Sequence, residues 1–208
     1  MTETDAPLVL IVEDEPDVAE TYQIWLQGSY DVRTAETGDA ALAAVDDDVD
    51  VVLLDRMMPG MSGADVLSAI RSRGIDTRVA MVSAVDPDFD VVEMGFDEYV
   101  TKPPTRDGLL ETIETLLDRA EQSEALQEYY SLVARRSALE TEKTEAKLED
   151  SEEYARLNER IDAQREEADE TLGDMESDLE FVSAVRELSE LTEDAAGEEG
   201  ADQLGDEE

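Results

Sequence analysis

Five polar side chains from four separate stretches lie at the ends of short apolar runs. Glu13 and Asp14 follow Leu8–Val12, Asp55 follows Val51–Leu54, Ser83 closes Arg78–Ser83, and Lys102 follows Glu98–Thr101. The chain has no histidine and no cysteine. Disulfides, thiolate or imidazole metal sites and His or Cys catalysis are therefore excluded. Carboxylates without nitrogen or sulfur ligands suit a hard, oxygen-seeking cation. Magnesium fits, because it stays partly hydrated and takes one or two protein carboxylates plus phosphate oxygens. A carboxylate can also attack phosphorus itself, giving an aspartyl phosphate. Asp55 is the candidate nucleophile, placed after the buried central run. Magnesium on Glu13 and Asp14 would neutralise the transferring group. Lys102 would give a point charge to a phosphoryl oxygen, and Ser83 a hydrogen bond. Lys102 carries the most weight, since Lys143 and Lys147 are the only other lysines.

These residues need a scaffold that brings four distant segments to one edge. Strand-like runs at Leu8–Val12, Tyr30–Thr34, Val51–Leu54, Arg78–Ser83 and Glu98–Thr101 alternate with helical patterns. The helical patterns cover Pro16–Gln27, Gly38–Val45, Ala64–Arg73, a short Asp88–Met94, and a stretch from Arg106. Such apolar strands separated by helices predict a parallel sheet covered on both faces. Five strands and five helices in about 120 residues fit a doubly wound α/β domain, whose ligands bind at the carboxyl ends of the strands.

The composition sets limits on partners. The 208 residues carry a formal net charge of -41. That opposes DNA binding through bulk charge and adsorption to an anionic membrane. The apolar fraction of 41% is too high for a wholly disordered polyanion. No run of about 18 apolar residues occurs, and the opening MTETDAP lacks the layout of a signal peptide, so a cytoplasmic protein without membrane contact is expected. The charge is spread evenly, -19 over residues 1–120 and -22 over the rest. An acid-rich, lysine-poor surface of this kind is what a halophile's cytosolic protein should carry. Concentrated salt screens the self-repulsion, with a Debye length of roughly 3 Å at 1 M.

Four motifs in order, LVLIVEDEP, DVVLLDRMMPGMSG, VAMVSA and DEYVTKP, resemble the receiver domain of two-component response regulators. The resemblance covers about residues 6–120 and implies a flavodoxin-like, five-stranded parallel sheet. It implies Asp55 as phosphoacceptor, with Mg2+ held by Glu13, Asp14, Asp55 and the Met57 backbone carbonyl. It makes Ser83 the switch hydroxyl, Tyr99 the switch aromatic and Lys102 the phosphate-binding lysine, and places a cis peptide before Pro103. A sensor histidine kinase is the implied phosphoryl donor. Catalysis is then limited to the chain's own phosphorylation, so no enzyme class follows. Glu13 stands where many members have Asp, which lengthens one ligand arm. Only ten residues separate Ala84 from Gly95, so the family's fourth helix is nearly a turn short. The dimer contact that members build on that helix is not expected to transfer unchanged.

Beyond residue 120 prolines vanish and Glu, Ala, Leu, Arg and Ser dominate. Residues 121–192 read as two long helices in an antiparallel hairpin or coiled coil, with a short third helix over Leu179–Leu188. Arg106–Leu148 could run unbroken for roughly 65 Å or kink near Glu121–Glu124. Asp150-Ser-Glu-Glu153 and Ser177-Asp-Leu-Glu180 read as capping boxes. Glu193–Glu208 holds eight acids and no bases and is expected to be disordered, as are residues 1–5 to be a tail. The EEYARL segment and the Glu/Arg-rich helices resemble the HalX domain that follows receivers in haloarchaeal regulators. This implies an output acting on transcription through protein contact or a homodimer seam. The alternative is direct, sequence-specific DNA binding. Arg135, Arg136, Lys143 and Lys147 form the densest basic cluster, but Glu140, Glu142 and Glu145 interleave with them and no helix-turn-helix pattern is evident.

The charge argument predicts that dialysis from molar KCl into dilute buffer unfolds the protein. Circular dichroism checks this, and a signal flat across the salt range contradicts it.

Overall fold

The computed structural model describes residues 6–120 and 122–173, with side chains through residue 165. Five strands, β1 (Leu8–Val12), β2 (Asp31–Ala35), β3 (Val51–Asp55), β4 (Arg78–Ser83) and β5 (Glu98–Thr101), form one sheet in the order β2-β1-β3-β4-β5. Every pairing is parallel. The three inner strands are buried throughout apart from the half-buried Leu8. This explains why they read as continuous apolar runs rather than as alternating ones.

Two apolar layers separate along these strands with the period of two that a pleat imposes. Val9, Ile11, Val51, Leu53, Ala80 and Val82 face one side. There they meet α1 (Pro16–Leu26) through Ala19, Tyr22 and Leu26, and α4 (Arg106–Ala120) through Leu109, Ile113 and Leu116. Leu10, Val12, Val52, Leu54, Val79 and Met81 face the other side. Part of that side is closed by α2 (Gly38–Ala44) and α3 (Gly63–Ser72). Helix α3 starts at Ser62, whose hydroxyl accepts the Asp65 N–H while the Asp65 carboxylate accepts the Ser62 N–H.

The helix expected over Asp88–Met94 is instead a five-residue 3-10 helix, Phe89–Glu93. Asp88 caps it by accepting the Phe89 N–H, and Gly95 leaves it at φ 72°. This short i→i+3 element covers little sheet. The uncovered part of this face is closed by the second half of the chain. Helix α5 (Glu124–Glu142) sends Leu132 and Leu139 into the same core as Met81, Val91, Val92 and Phe96. Each leucine so buried contributes about 1.5–3 kcal/mol.

The chain does not run through as one helix from Arg106. It breaks after Ala120, with Ser123 extended before α5. A short α6 (Glu145–Glu149) then leads into α7 (Glu152–Gly173). The hairpin of α5 and α7 is antiparallel, as expected. Tyr154 donates to Glu140 (2.5 Å), Arg160 pairs with Glu128 (3.2 Å), and the Gln164 amide donates to the Ala125 carbonyl (3.3 Å). The cap of α7 is one residue later than the sequence suggested. Ser151, directly before α7, accepts the Tyr154 N–H at 3.1 Å, whereas Asp150 is the C-cap of α6. The box at Ser177, the helix over Leu179–Leu188 and the acidic tail lie outside the described residues. Among the described residues no helix is long and apolar enough to cross a membrane.

Leu139 is fully buried where α5 meets the sheet. Leu139→Ala should lower stability by about 2–5 kcal/mol, read as a shift in the denaturation midpoint in molar KCl. A loss under 1 kcal/mol, on the order of an exposed substitution, would show that α5 is not part of this core.

Candidate functional site

The carboxyl ends of β1, β3, β4 and β5 bring together the residues singled out from the sequence. Glu13 follows β1 and is 1% exposed, Asp55 ends β3 at 6%, and Ser83 ends β4 at 0%. Asp14 is half-buried beside them. One carboxylate oxygen each from Glu13, Asp14 and Asp55 lies within 4.8 Å of the others. This is the crevice between β1 and β3, where the strand order reverses and doubly wound sheets bind ligands.

Lys102 bridges two of the acids. Its Nζ is 2.6 Å from Glu13 Oε2 and 3.0 Å from Asp55 Oδ2. The other Asp55 oxygen accepts the Met57 N–H at 3.1 Å, so both of its oxygens are oriented. The Met57 side chain is exposed. The peptide between Lys102 and Pro103 is cis, as expected, and the Lys102 N–H donates to the Ser83 carbonyl at 2.8 Å. Ser83 Oγ accepts the Val85 N–H at 3.1 Å. Tyr99 is half-buried on β5, against Phe96, and its hydroxyl donates to the Val85 carbonyl at 2.5 Å.

Burial, with the like charge of Asp55, pushes the Glu13 carboxyl above the usual carboxylate range although Lys102 pulls it down. Burial acts against the Lys102 ammonium, but its hydrogen bonds and attraction to Glu13 and Asp55 outweigh that and raise its pKa. Both directions describe a pocket with more carboxylates than cations, which favours any added positive charge. The donor set is all oxygen, negative in sum and partly open at Asp14. It therefore fits a hard divalent ion such as Mg2+.

Two features were not legible from spacing. Gly63, the first residue of α3, approaches the backbone of the Asp55 strand so closely that a Cβ would lie 2.2 Å from the Asp55 carbonyl oxygen. The glycine after Met61-Ser62 was visible, but not what it touches. Asp97 is buried near the opposite end of the sheet, where it accepts the Val79 N–H and pairs with Arg71, each at 2.7 Å. Nothing in its local sequence separates it from the many solvated acids.

The basic cluster of the second half does not form a surface. Arg135, considered above for DNA contact, is 3% exposed. It donates to the Val92 carbonyl and to Ser131 Oγ, and Ser131 in turn donates to the Phe96 carbonyl at 2.6 Å. Its charge is spent holding α5 to the α/β half. Arg136 lies 3.7 Å from Glu140, Lys143 pairs with Asp88 at 3.2 Å, and Lys147 is exposed.

The model of the response regulator receiver domain matches residues 9–114, and that of the HalX domain matches residues 118–185. A Haloferax volcanii protein provisionally named a transcriptional regulator is 42% identical over 182 residues. The match covers 87% of this chain and 31% of that protein. The sensory transduction protein RegX3 of Mycobacterium tuberculosis is 42% identical over 116 residues, covering 53% of this chain and 51% of RegX3. The chain thus spans about a third to a half of the length of these relatives. Among solved structures, a CheY-like receiver domain protein of Methanospirillum hungatei superposes with a TM-score of 0.52 at 28% identity, covering 56% of this chain and 98% of that one. The receiver domain of a Francisella response regulator does so with 0.50 at 30%, covering 55% and 99%.

Gly63→Ala should destabilise the fold by about 1–3 kcal/mol and displace the end of β3. A denaturation curve and the amide exchange rate of Asp55 should both change. An unaltered pair of measurements would mean that α3 moves aside freely.

Proposed function

Because the chain belongs to the response regulator receiver family and carries a HalX domain after it, we propose that it accepts a phosphoryl group on Asp55 from a sensor histidine kinase and passes the signal to its helical half. The observation that carries this reading is the bridged pair, Lys102 between Glu13 and Asp55 at the end of β3. Asp55 is the only one of these acids that ends a central strand, with both oxygens held in place. In the transfer an Asp55 carboxylate oxygen forms a bond to phosphorus as the bond from phosphorus to the kinase imidazole nitrogen breaks. The leaving imidazole nitrogen takes up one proton from solvent, so the products are an acyl phosphate and a neutral histidine. Glu13, Asp14, Asp55 and the Met57 carbonyl would hold Mg2+, which supplies charge neutralisation at the phosphoryl oxygens. Lys102 is close enough to exchange an Asp55 oxygen for a phosphoryl oxygen. Ser83 sits where its hydroxyl can turn from accepting the Val85 N–H to donating to the new group. Phosphorylation adds about −1.5 to −2 charge and three acceptor oxygens at neutral pH. That is sufficient to redistribute two pre-existing arrangements of Ser83 and Tyr99 that differ by a few kcal/mol.

The output is regulation of transcription through protein contact or a homodimer, in the cytoplasm. The burial of Arg135 weakens direct DNA recognition by the helical half, since it removes a central cation of the one cluster that suggested it.

Acetyl phosphate with magnesium should add one phosphoryl group to the protein in molar KCl, detected as a gain in intact mass. Asp55→Asn should abolish the gain. Modification that persists in this variant would refute the assignment.

A further inference from the structure

The end of the sheet opposite Asp55 opens into a cavity of about 890 Å³. Arg78, the first residue of β4, and Asp97, just before β5, form part of its wall. A polar stripe of α5 forms another part, through Glu124, Gln127, Glu128, Ser131 and Arg135. Their spacing of three and four residues places them on one helix face. The volume is that of a small-molecule site, but such sites are mostly apolar. Here Ile75 is the one large apolar side chain of the lining. The cavity therefore suits a hydrophilic ligand.

Most of its charges are matched by neighbours. Arg71 pairs with Asp97 at 2.7 Å, Arg78 with Asp76, and Glu128 with Arg160 at 3.2 Å. Arg135 and Glu124 have no carboxylate or cation at ion-pair distance among the described residues. Arg135 is 3% exposed, bonded only to the neutral Val92 carbonyl and Ser131 Oγ, and its Nε has no hydrogen-bond partner. A buried guanidinium in this state is stabilised by a carboxylate that reaches it, because the two planar groups match in a double hydrogen bond. Glu124 is exposed at the mouth of the cavity, as is Asp76. These acids oppose a simple anion on its way to Arg135. They do not oppose a ligand with a cation at its other end.

The helix sets the distance between the two charges. Arg135 donates to Ser131 Oγ, so its guanidinium lies one turn back along α5. Glu124 is seven positions before Ser131, about 10 Å at the helical rise. An extended chain covers that span in about three residues, at roughly 3.3–3.6 Å each.

We propose that this cavity binds a short peptide with free ends, its terminal carboxylate on Arg135 and its terminal ammonium on Glu124. The site lies away from Asp55, so the phosphoacceptor reading stands or falls separately.

The test is equilibrium dialysis of the full chain in molar KCl against Ala-Ala-Ala. Binding should saturate at one site with a Kd of about 1 mM or tighter. Free alanine, too short to reach both charges, and inorganic phosphate should each bind about tenfold more weakly or not at all. The C-terminal amide of the peptide lacks the anion and should lose about tenfold as well, without any change to the protein. Glu124→Gln is an exposed substitution that keeps the fold. It should weaken Ala-Ala-Ala about threefold and leave N-acetyl-Ala-Ala-Ala unaffected, since that peptide has no ammonium. Absence of saturable Ala-Ala-Ala binding overturns the proposal. Alanine or phosphate binding as tightly as the tripeptide overturns it too, leaving a site for a lone charged group. Undiminished binding of the amide removes Arg135 as the carboxylate partner. An equal loss for the free and acetylated peptides in Glu124→Gln removes Glu124 as the ammonium partner. Either of these last results overturns the assignment.

Discussion

A parallel sheet buried on both faces must be covered on both faces, and the rest of this molecule follows from how that is done. On one side α1 and α4 suffice. On the other, α2 and α3 cover β1 and β3, and the segment after β4 holds only a five-residue 3-10 helix. Met81, Val91, Val92 and Phe96 would then face water. Helix α5 closes the gap with Leu132 and Leu139. The helical half is thus joined to the receiver through a common core rather than tethered by a linker.

That arrangement assigns the few polar residues that cross the junction. A guanidinium as buried as Arg135 loses most of its hydration, and burial pushes its pKa down despite the opposing pull of Glu128. Val92 and Ser131 take two of its N–H groups, while its buried Nε has no hydrogen-bond partner. An arginine used in this way is unavailable to phosphate. In a chain with net charge -41, the position of each cation matters more than the count of acids. Lys102 is the parallel case at the other end of β5, where one ammonium offsets two buried carboxylates. Removing it would leave the like charges of two buried carboxylates facing each other.

The acidic pocket at Asp55 and the helical junction are close in space for a topological reason. Ser83 ends β4 and Lys102 follows β5, and the segment between these strands carries the seat of α5. Val85, bonded through its two backbone groups to Ser83 and Tyr99, belongs to both. Events at Asp55 therefore have a short physical path to the helices.

Much of this was legible in the sequence. Unbroken apolar runs announced buried parallel strands, and polar residues at their ends announced the pocket, because strand ends in a doubly wound sheet meet at one edge whatever the loops do. The antiparallel hairpin and the shortness of the segment after β4 were also visible, since periodicity and length are local properties. The tertiary structure alone decided what a face of a helix meets. Arg135 reads as a surface cation among glutamates but is buried. Gly63 reads as a turn residue but permits contact with the Asp55 backbone. Asp97 reads as one more halophilic acid but accepts a strand amide. In each case the residue's role is set by a neighbour 18 or more positions away that reaches it only through packing, except at Gly63, where the approach of α3 to β3 is local in sequence but fixed by the fold. Spacing records the period of an element and its ends. It does not record which surface will cover it.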